Sequence, residues 1–149
     1  VHVYDTENWE EQKGAEWAEH QANSVAFGAD GKTLAVGGSG GDALAIYDAG
    51  TGKRLRQFKG ANSIRCLAYS PDGKFLAAAH GTGSKYGNGS VVVFDATTGL
   101  EEAVLTAHSG LVLGLNFGPD GRVGTASNDG TFKVWGPVRP MPAAPQAKR

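Results

Sequence analysis

The sequence has little of several features that would assign it quickly to a class of protein. Cys66 is the only cysteine among the 149 residues, which excludes an internal disulfide framework and a cysteine-rich zinc site. No apolar run approaches the roughly 20 residues that a membrane-spanning helix needs. Lys and Arg number 14 against 15 Asp and Glu, a net charge of -1. Because no basic excess favours nucleic acid or an anionic membrane, we expect neither as a partner.

Methionine is also scarce, whereas glycine is abundant. The single methionine is Met141 and the chain begins at Val1, from which we expect a piece of a longer protein. The 23 glycines are about twice the average usage and predict many tight turns between short elements. With 40% apolar residues the chain can bury a core, so disorder throughout is excluded.

Internal repetition organises the chain. Three segments share an apolar pair, a turn and a second apolar run: SVAFGADGKTLAV (24–36), CLAYSPDGKFLAA (66–78) and GLNFGPDGRVGTA (114–126). Their turn aspartates are 42 and 48 residues apart. Four shorter segments form a second aligned set: VHVYDT (1–6), LAIYDAGTG (44–52), VVVFDATTG (91–99) and FKVWGP (132–137). A period in the forties with several short apolar runs predicts propeller blades of four strands each.

The residues of each repeat predict strands joined by tight turns. Leu67 and Tyr69 stand two residues apart, so both face one side of a strand, and the other repeats have equivalent pairs. Ala-Asp-Gly or Pro-Asp-Gly then follows, in which glycine permits the positive φ of a hairpin turn. Residues 7–20 have a helical alternative, because two tryptophans and a lysine lie four apart. Gly14 would cost that helix about 1 kcal/mol relative to alanine, and the repeat register favours a loop followed by a strand.

Three phrases resemble the WD-repeat (β-transducin-type) propellers: CLAYSPDGKFLAA, VVVFDATTG and AHSGLVLGLNFGPDGRVGTASNDGTFKVWG. The resemblance implies an all-β fold, a partial β-propeller built from about three repeats of four antiparallel strands. It divides the chain into an orphan strand (1–5), repeats at about 6–48, 49–95 and 96–136, and a proline-rich extended tail (137–149). Grouped as blades, these strands give a two-stranded start, two full blades and a three-stranded end. Propellers close with about four to eight blades, so we expect the C-terminal part of a larger propeller.

One polar constellation resembles a catalytic site. His108, Ser127 and Asp129 suggest a nucleophilic triad, but no Gly-x-Ser-x-Gly elbow surrounds this serine. The resemblance implies instead a buried structural tetrad, made of His108, Thr125, Asp129 and Trp135. The indole N–H would donate to the threonine hydroxyl, which bonds the imidazole, and the carboxylate would accept from the imidazole. The third repeat is one residue short before Thr125, which leaves Ser127 as the alternative hydroxyl.

The other two repeats depart from this tetrad. The first repeat keeps two of the four residues, His20 and Asp42. In it, Gly38 and Tyr47 stand where the hydroxyl and the tryptophan are expected. In the second repeat, Asn62-Ser63 stand at the histidine position and Phe94 replaces the tryptophan. We expect both blades to rely on apolar packing, with the tyrosine and the phenylalanine filling the aromatic position.

Two kinds of loop carry the candidate contact residues. HGTGSKYGNGS (80–90) is rich in glycine and has a lysine, but it matches neither phosphate-binding glycine motif and no helix follows it. We interpret it as a long surface hairpin between the second and third strands of a blade. Such loops, and those before the innermost strands, present side chains to partners. The candidate protein-binding residues are Asn62, Arg65, His80, Lys85 and Tyr86.

The resemblance implies a non-catalytic, cytoplasmic scaffold whose loops and faces bind proteins or peptides. Further partners would be the remaining blades of the same propeller, or other copies of the chain if it is isolated. The alternative is the propeller portion of a larger kinase- or hydrolase-linked enzyme, where it gates or docks the substrate. The four histidines form no metal-ligand spacing, so we expect no enzyme activity, no cofactor and no metal.

Overall fold

The computed structural model describes residues 7–8, 10, 21–40, 43–59, 61–82, 84, 87–106 and 108–138. The predicted orphan strand and most of the predicted tail lie outside these ranges. Within them the chain forms only β-strands, which confirms the all-β prediction. The strands are β1 (Gln21–Phe27), β2 (Thr33–Ser39), β3 (Leu44–Asp48), β4 (Arg54–Gln57), β5 (Ile64–Tyr69), β6 (Phe75–His80), β7 (Ser90–Asp95), β8 (Glu101–Thr106), β9 (Val112–Phe117), β10 (Val123–Ser127) and β11 (Phe132–Trp135).

The strands form three antiparallel sheets in which neighbours in sequence are neighbours in space. The first sheet has the order β1-β2-β3-β4, the second β5-β6-β7-β8 and the third β9-β10-β11. These sheets match the two full blades and the three-stranded end that the repeats predict. The expected two-stranded start lies outside the described residues.

An aspartate and a glycine shape the turn between the first two strands of every sheet. Each aspartate carboxylate accepts a hydrogen bond from the backbone N–H two residues later, at 2.8 to 3.1 Å. The glycine that follows has a positive φ of 65° to 80°, which favours glycine over other residues. The three pairs are Asp30-Gly31, Asp72-Gly73 and Asp120-Gly121.

A second aspartate turn leads to the fourth strand in the first two sheets only. The carboxylates of Asp48 and Asp95 each accept hydrogen bonds from the backbone N–H groups two and three residues on. The third sheet has Gly136-Pro137 at this point, which offers no carboxylate and removes a backbone donor. Val138 then donates to the carbonyl of Gly121 at 3.3 Å, so the described chain turns back over the β9–β10 hairpin.

The sheets stack face to face, and the second sheet shows this most clearly. Successive residues of β6 and β7 alternate between two buried clusters. Leu76, Ala78, Val92 and Phe94 pack towards the first sheet, on what we call the near face. Phe75, Ala77, Ala79, Val91 and Val93 pack towards the third sheet, on the far face. The second sheet is therefore buried on both sides, which explains its nearly continuous apolar strands.

Side chains also connect the first sheet to the second through hydrogen bonds. Asn23 donates from Nδ2 to the carbonyl of Ile64 at 3.0 Å, and the Ser24 hydroxyl accepts from the backbone N–H of Leu67 at 3.0 Å. At the outer rim, the Arg56 guanidinium donates to the carbonyl of Thr98 at 2.9 Å. These bonds fix the inner and outer ends of the same interface.

Candidate functional site

The four residues of the predicted tetrad come together on the near face of the third sheet. His108 Nδ1 lies 3.0 Å from Asp129 Oδ2, and His108 Nε2 lies 2.8 Å from Thr125 Oγ1. Trp135 donates from Nε1 to the same threonine oxygen at 3.0 Å. Four side chains from two loops and two strands thus form one hydrogen-bonded chain.

The available donors fix the direction of the hydrogen bonds in the tetrad. The indole N–H of Trp135 can only donate, so the Thr125 oxygen accepts from it. The threonine proton is then available to His108 Nε2, while His108 Nδ1 donates to the carboxylate of Asp129. This order needs a single proton on the imidazole, and it satisfies every member of the chain.

Asp129 receives more hydrogen bonds than the tetrad alone supplies. Thr131 donates to Oδ1 from its hydroxyl at 2.6 Å and from its backbone N–H at 2.9 Å, and the backbone N–H of Ser109 donates to Oδ2 at 3.0 Å. Led by the Thr131 hydroxyl, these bonds and the His108 imidazole hold the pKa of the Asp129 carboxyl well below its usual range. The carboxylate therefore stays ionised and joins the 108–111 loop to the 128–131 turn.

Thr131 is a member of this site that the sequence reasoning missed. Its hydroxyl also lies 3.2 Å from His108 Nδ1. The signal was present, since a threonine two residues after an aspartate is typical of an Asx turn. Ser127, the alternative hydroxyl, takes a different role, because its oxygen accepts from the backbone N–H of Asp129 at 3.2 Å.

The arrangement is poorly suited to nucleophilic catalysis. The side chain of His108 is 1% exposed and that of Asp129 is 10% exposed, and Thr125 is buried. The threonine hydroxyl already bonds two partners, so it has no free approach for a substrate carbonyl. Within the described ranges, no group of three or more His, Cys, Asp or Glu residues could hold a metal ion.

The strand register corrects one predicted departure in the first repeat. Leu115 pairs with Thr125, and the equivalent Val25 and Leu67 pair with Val36 and Ala78. Val36, and not Gly38, therefore holds the position of the tetrad hydroxyl. The prediction was wrong because the β9–β10 hairpin is one residue shorter than the other two: Thr125 follows its turn aspartate by five residues, whereas Val36 and Ala78 follow theirs by six.

Aromatic side chains fill the tryptophan position in the other two sheets. Tyr47 and Phe94 are both buried, and the rings of Phe58 and Phe94 pack edge to face with centroids 5.1 Å apart. Apolar packing thus replaces the polar chain of the third sheet in this position. The two other tetrad residues of the first repeat, His20 and Asp42, lie outside the described residues.

The candidate contact residues have different environments. Arg65 is exposed on β5, and Asn62 is half-buried in the loop before it. His80 is fully buried at the end of β6, so the prediction that it contacts a partner was wrong. Its Nδ1 lies 3.1 Å from the carbonyl of Asn62 and 2.9 Å from the hydroxyl of Ser84. The ring therefore packs between the loop before β5 and the link that follows β6. The remaining two candidates, Lys85 and Tyr86, lie outside the described residues.

Cys66 offers no reactive thiol. It is half-buried on β5, and burial raises the pKa of its thiol to about 11. Its Sγ lies 3.7 Å from the carbonyl of Val112 in the third sheet. The residue therefore acts as a small apolar side chain between sheets.

The described part of the chain has no helix long and apolar enough to cross a membrane.

Three stacked antiparallel meanders with this tetrad define part of a β-propeller. The family model described as "WD domain, G-beta repeat" (WD40) matches residues 52–95 and 99–136, more than half of the chain, and the chain belongs to this family. Propellers of this family are generally scaffolds for protein interactions, and their members are diverse.

Individual proteins resemble the chain over most of its length. It is 30% identical over 121 residues to the intraflagellar transport protein 122 homolog of Homo sapiens, covering 80% of this chain and 9% of that protein. It is 33% identical over 116 residues to the target of rapamycin complex subunit wat1 of Schizosaccharomyces pombe, covering 75% and 35%. The solved structure of U3-55K superposes with a TM-score of 0.69 at 20% identity, covering 79% and 36%. The chain therefore spans 9% to 36% of the length of these proteins.

Proposed function

We propose that the chain is part of a non-catalytic scaffold that holds protein or peptide partners at one edge of its sheets. The observation that carries this proposal is the closed tetrad of the third sheet. Among the described residues, its imidazole, carboxylate and hydroxyl are the groups that most resemble those of a catalytic site. Each of the three is engaged in hydrogen bonds within the tetrad. A site that could activate a substrate would need at least one of them to face an open cleft.

We place the partner-binding surface at the edge of the sheets where the tetrad joins the 108–111 loop to the 128–131 turn. It contains the links between β4 and β5, β6 and β7, β8 and β9, and β10 and β11, which we call the loop edge. Arg65 lies beside this edge, because a Cβ on Gly81, which follows β6, would come within 3.1 Å of the Arg65 Cγ. The absence of a side chain at Gly81 lets the arginine stem lie against the loop, and Arg65 as a whole remains exposed. Arginines that are held in this way are frequent anchors of protein interfaces.

Relatives support a role in an assembly. The fission yeast relative is named as a subunit of the target of rapamycin complex. A rigid stack of sheets with loops on one edge suits such a role, because the loops vary while the scaffold that positions them does not. We infer that this chain contributes its loop edge to a larger assembly.

Photo-crosslinking in the complete protein tests this proposal. A photoreactive amino acid at Arg65 should yield adducts with a protein or peptide partner, whereas the same amino acid at Lys74, exposed in the β5–β6 turn at the opposite edge, should not. Arg65→Glu should then weaken binding of the captured partner about tenfold or more, and Lys74→Glu should leave it unchanged. Equal adducts from both positions, or partner binding that is indifferent to Arg65→Glu, would contradict the proposed edge.

A further inference from the structure

The inner strand of each sheet has a β-bulge at the same position of the repeat. The register shifts between residues 22 and 24 in β1 and between residues 64 and 66 in β5. In β9 the shift falls between residues 112 and 114. One residue of each inner strand therefore has no paired residue on the neighbouring strand, and its side chain is aimed away from the regular pleat. These bulge residues are Asn23, Arg65 and Leu113, and all three are exposed.

The bulge, and not an uncovered sheet face, exposes these side chains. Arg65 belongs to the second sheet, which is packed on both faces, and yet it is the only exposed residue of β5. Asn23 is exposed although the second sheet packs directly against its own sheet. Leu113 has the same position in the third sheet and is 56% exposed. A sheet stacked beyond the third would leave Leu113 exposed, just as the third sheet leaves Arg65 exposed.

Side chains of the preceding sheet hold the backbone beside two of the bulge residues. Asn23 donates from Nδ2 to the carbonyl of the residue before Arg65 at 3.0 Å. The Sγ of Cys66, the residue after Arg65, lies 3.7 Å from the carbonyl of Val112, which directly precedes Leu113. These contacts join the bulges across the sheet interfaces, so Arg65 and Leu113 lie side by side on a rigid support at the loop edge.

The links that form the loop edge carry more positive than negative charge. They contain two lysines, Lys59 and Lys85, and a single acidic residue, Asp129. The oxygens of Asp129 already accept hydrogen bonds from the tetrad and from its own turn. Among the described residues, no carboxylate pairs with Arg65. The charge at this edge is therefore complementary to a partner that brings a carboxylate.

We propose that Arg65 and Leu113 together bind a partner segment in which an aspartate or glutamate stands beside an apolar side chain. The proposal rests on the proposed function, since it names the partner chemistry for the same edge. A guanidinium takes a carboxylate through two parallel hydrogen bonds, and Leu113 covers the apolar neighbour of that carboxylate. Because both residues stand on strands and not on loop tips, little ordering is needed when the segment binds.

Phage display of random peptides on the complete protein tests this chemistry. The selected peptides should carry an acidic residue next to leucine, isoleucine, valine or phenylalanine. Synthetic copies should bind about tenfold more weakly when asparagine or glutamine replaces the acidic residue, and about fivefold more weakly to Leu113→Asn. Leu100→Asn is the matched control, because Leu100 is 65% exposed before β8 at the opposite edge and should leave binding unchanged.

Charge reversal separates this proposal from the proposed function. A peptide with lysine in place of the acidic residue should bind Arg65→Glu more tightly than the acidic peptide does, whereas Lys74→Glu should keep the original preference. If the selected peptides lacked an acidic residue but still lost binding to Arg65→Glu, the partner chemistry would be wrong and the loop edge would stand. Selection of no peptide, or acidic peptides that bind both the Arg65→Glu and Leu113→Asn variants as well as the parent, would overturn the proposal.

Discussion

Replacing His108 by alanine tests whether the tetrad supports the fold. The imidazole bonds Asp129 at 3.0 Å and Thr125 at 2.8 Å, and its side chain is 1% exposed. A buried hydrogen bond to a charged group contributes about 1.5–3 kcal/mol and one between neutral groups about 1 kcal/mol. Asp129 and Thr125 keep their other donors in the variant, so the two contributions are partly recovered. We expect His108→Ala to lower the free energy of unfolding by about 3 kcal/mol.

Urea unfolding followed by far-UV circular dichroism measures this loss. The complete protein is the sample for this measurement. Ser109→Ala is the matched control, because the exposed neighbour contributes its backbone N–H to Asp129 and should change stability by less than about 0.5 kcal/mol. A double-mutant cycle with Thr125→Val should give a coupling of about 1 kcal/mol, as expected for residues in direct contact.

The opposite pattern would refute the structural role. If His108→Ala and Ser109→Ala were equally stable, the imidazole would not support the fold. If the alanine variant also lost an enzymatic activity of the complete protein, the tetrad would have to be reconsidered as a catalytic group.

Two further predictions concern a close approach and the response to acid. Gly89 has a φ of 76°, and a Cβ there would lie within 2.5 Å of the carbonyl oxygens of His108 and Gly110. Gly89→Ala should therefore lower the free energy of unfolding, measured in urea, by more than about 2 kcal/mol. Gly87, at a φ of 79°, has open space around it, so Gly87→Ala should lower the free energy of unfolding by only about 1 kcal/mol. Equal losses for the two variants would show that Gly89 is not in tight contact with the 108–110 loop. Because its pKa is lowered in the folded state, Asp129 contributes stability above the unfolded pKa of about 4 that is lost as the pH falls below it. The urea midpoint of Asp129→Asn should therefore fall less than that of the parent between pH 7 and pH 3, and an unchanged pH dependence would contradict this assignment.

The sequence predicted the fold well because each repeat restates the same local signals. Apolar alternation, Asp-Gly turns and the Asp-x-x-Thr turn before the fourth strand act over a few residues, so they can be read without knowing the partner strand. The three-stranded end was predicted from the grouping of the repeats into blades, which leaves a proline-rich tail from residue 137 onwards.

Positions that depend on register or on distant packing could not be read in this way. The β9–β10 hairpin is one residue shorter than the equivalent hairpins of the other two sheets, which is why Val36 and Thr125 were harder to assign than the turns. His80 was placed on the surface because it borders a glycine-rich loop, but its side chain points under that loop to the carbonyl of Asn62. The close approach of Gly89 to the third sheet depends on two loops that are about 20 residues apart, and no local pattern signals it.

Among the described residues no backbone hydrogen-bond ladder joins one sheet to the next, and this has a consequence for how the sheets unfold. Backbone pairing ends within each sheet, and neighbouring sheets meet through apolar side chains and a few bonds such as Arg56 to Thr98. The stability of the stack is then close to a sum of terms for single sheets and for adjacent pairs. Among the three described sheets, the second takes part in two pair terms, and the first and the third take part in one each. Hydrogen exchange should accordingly be slowest in β6 and β7, the central strands of the sheet that takes part in both described interfaces.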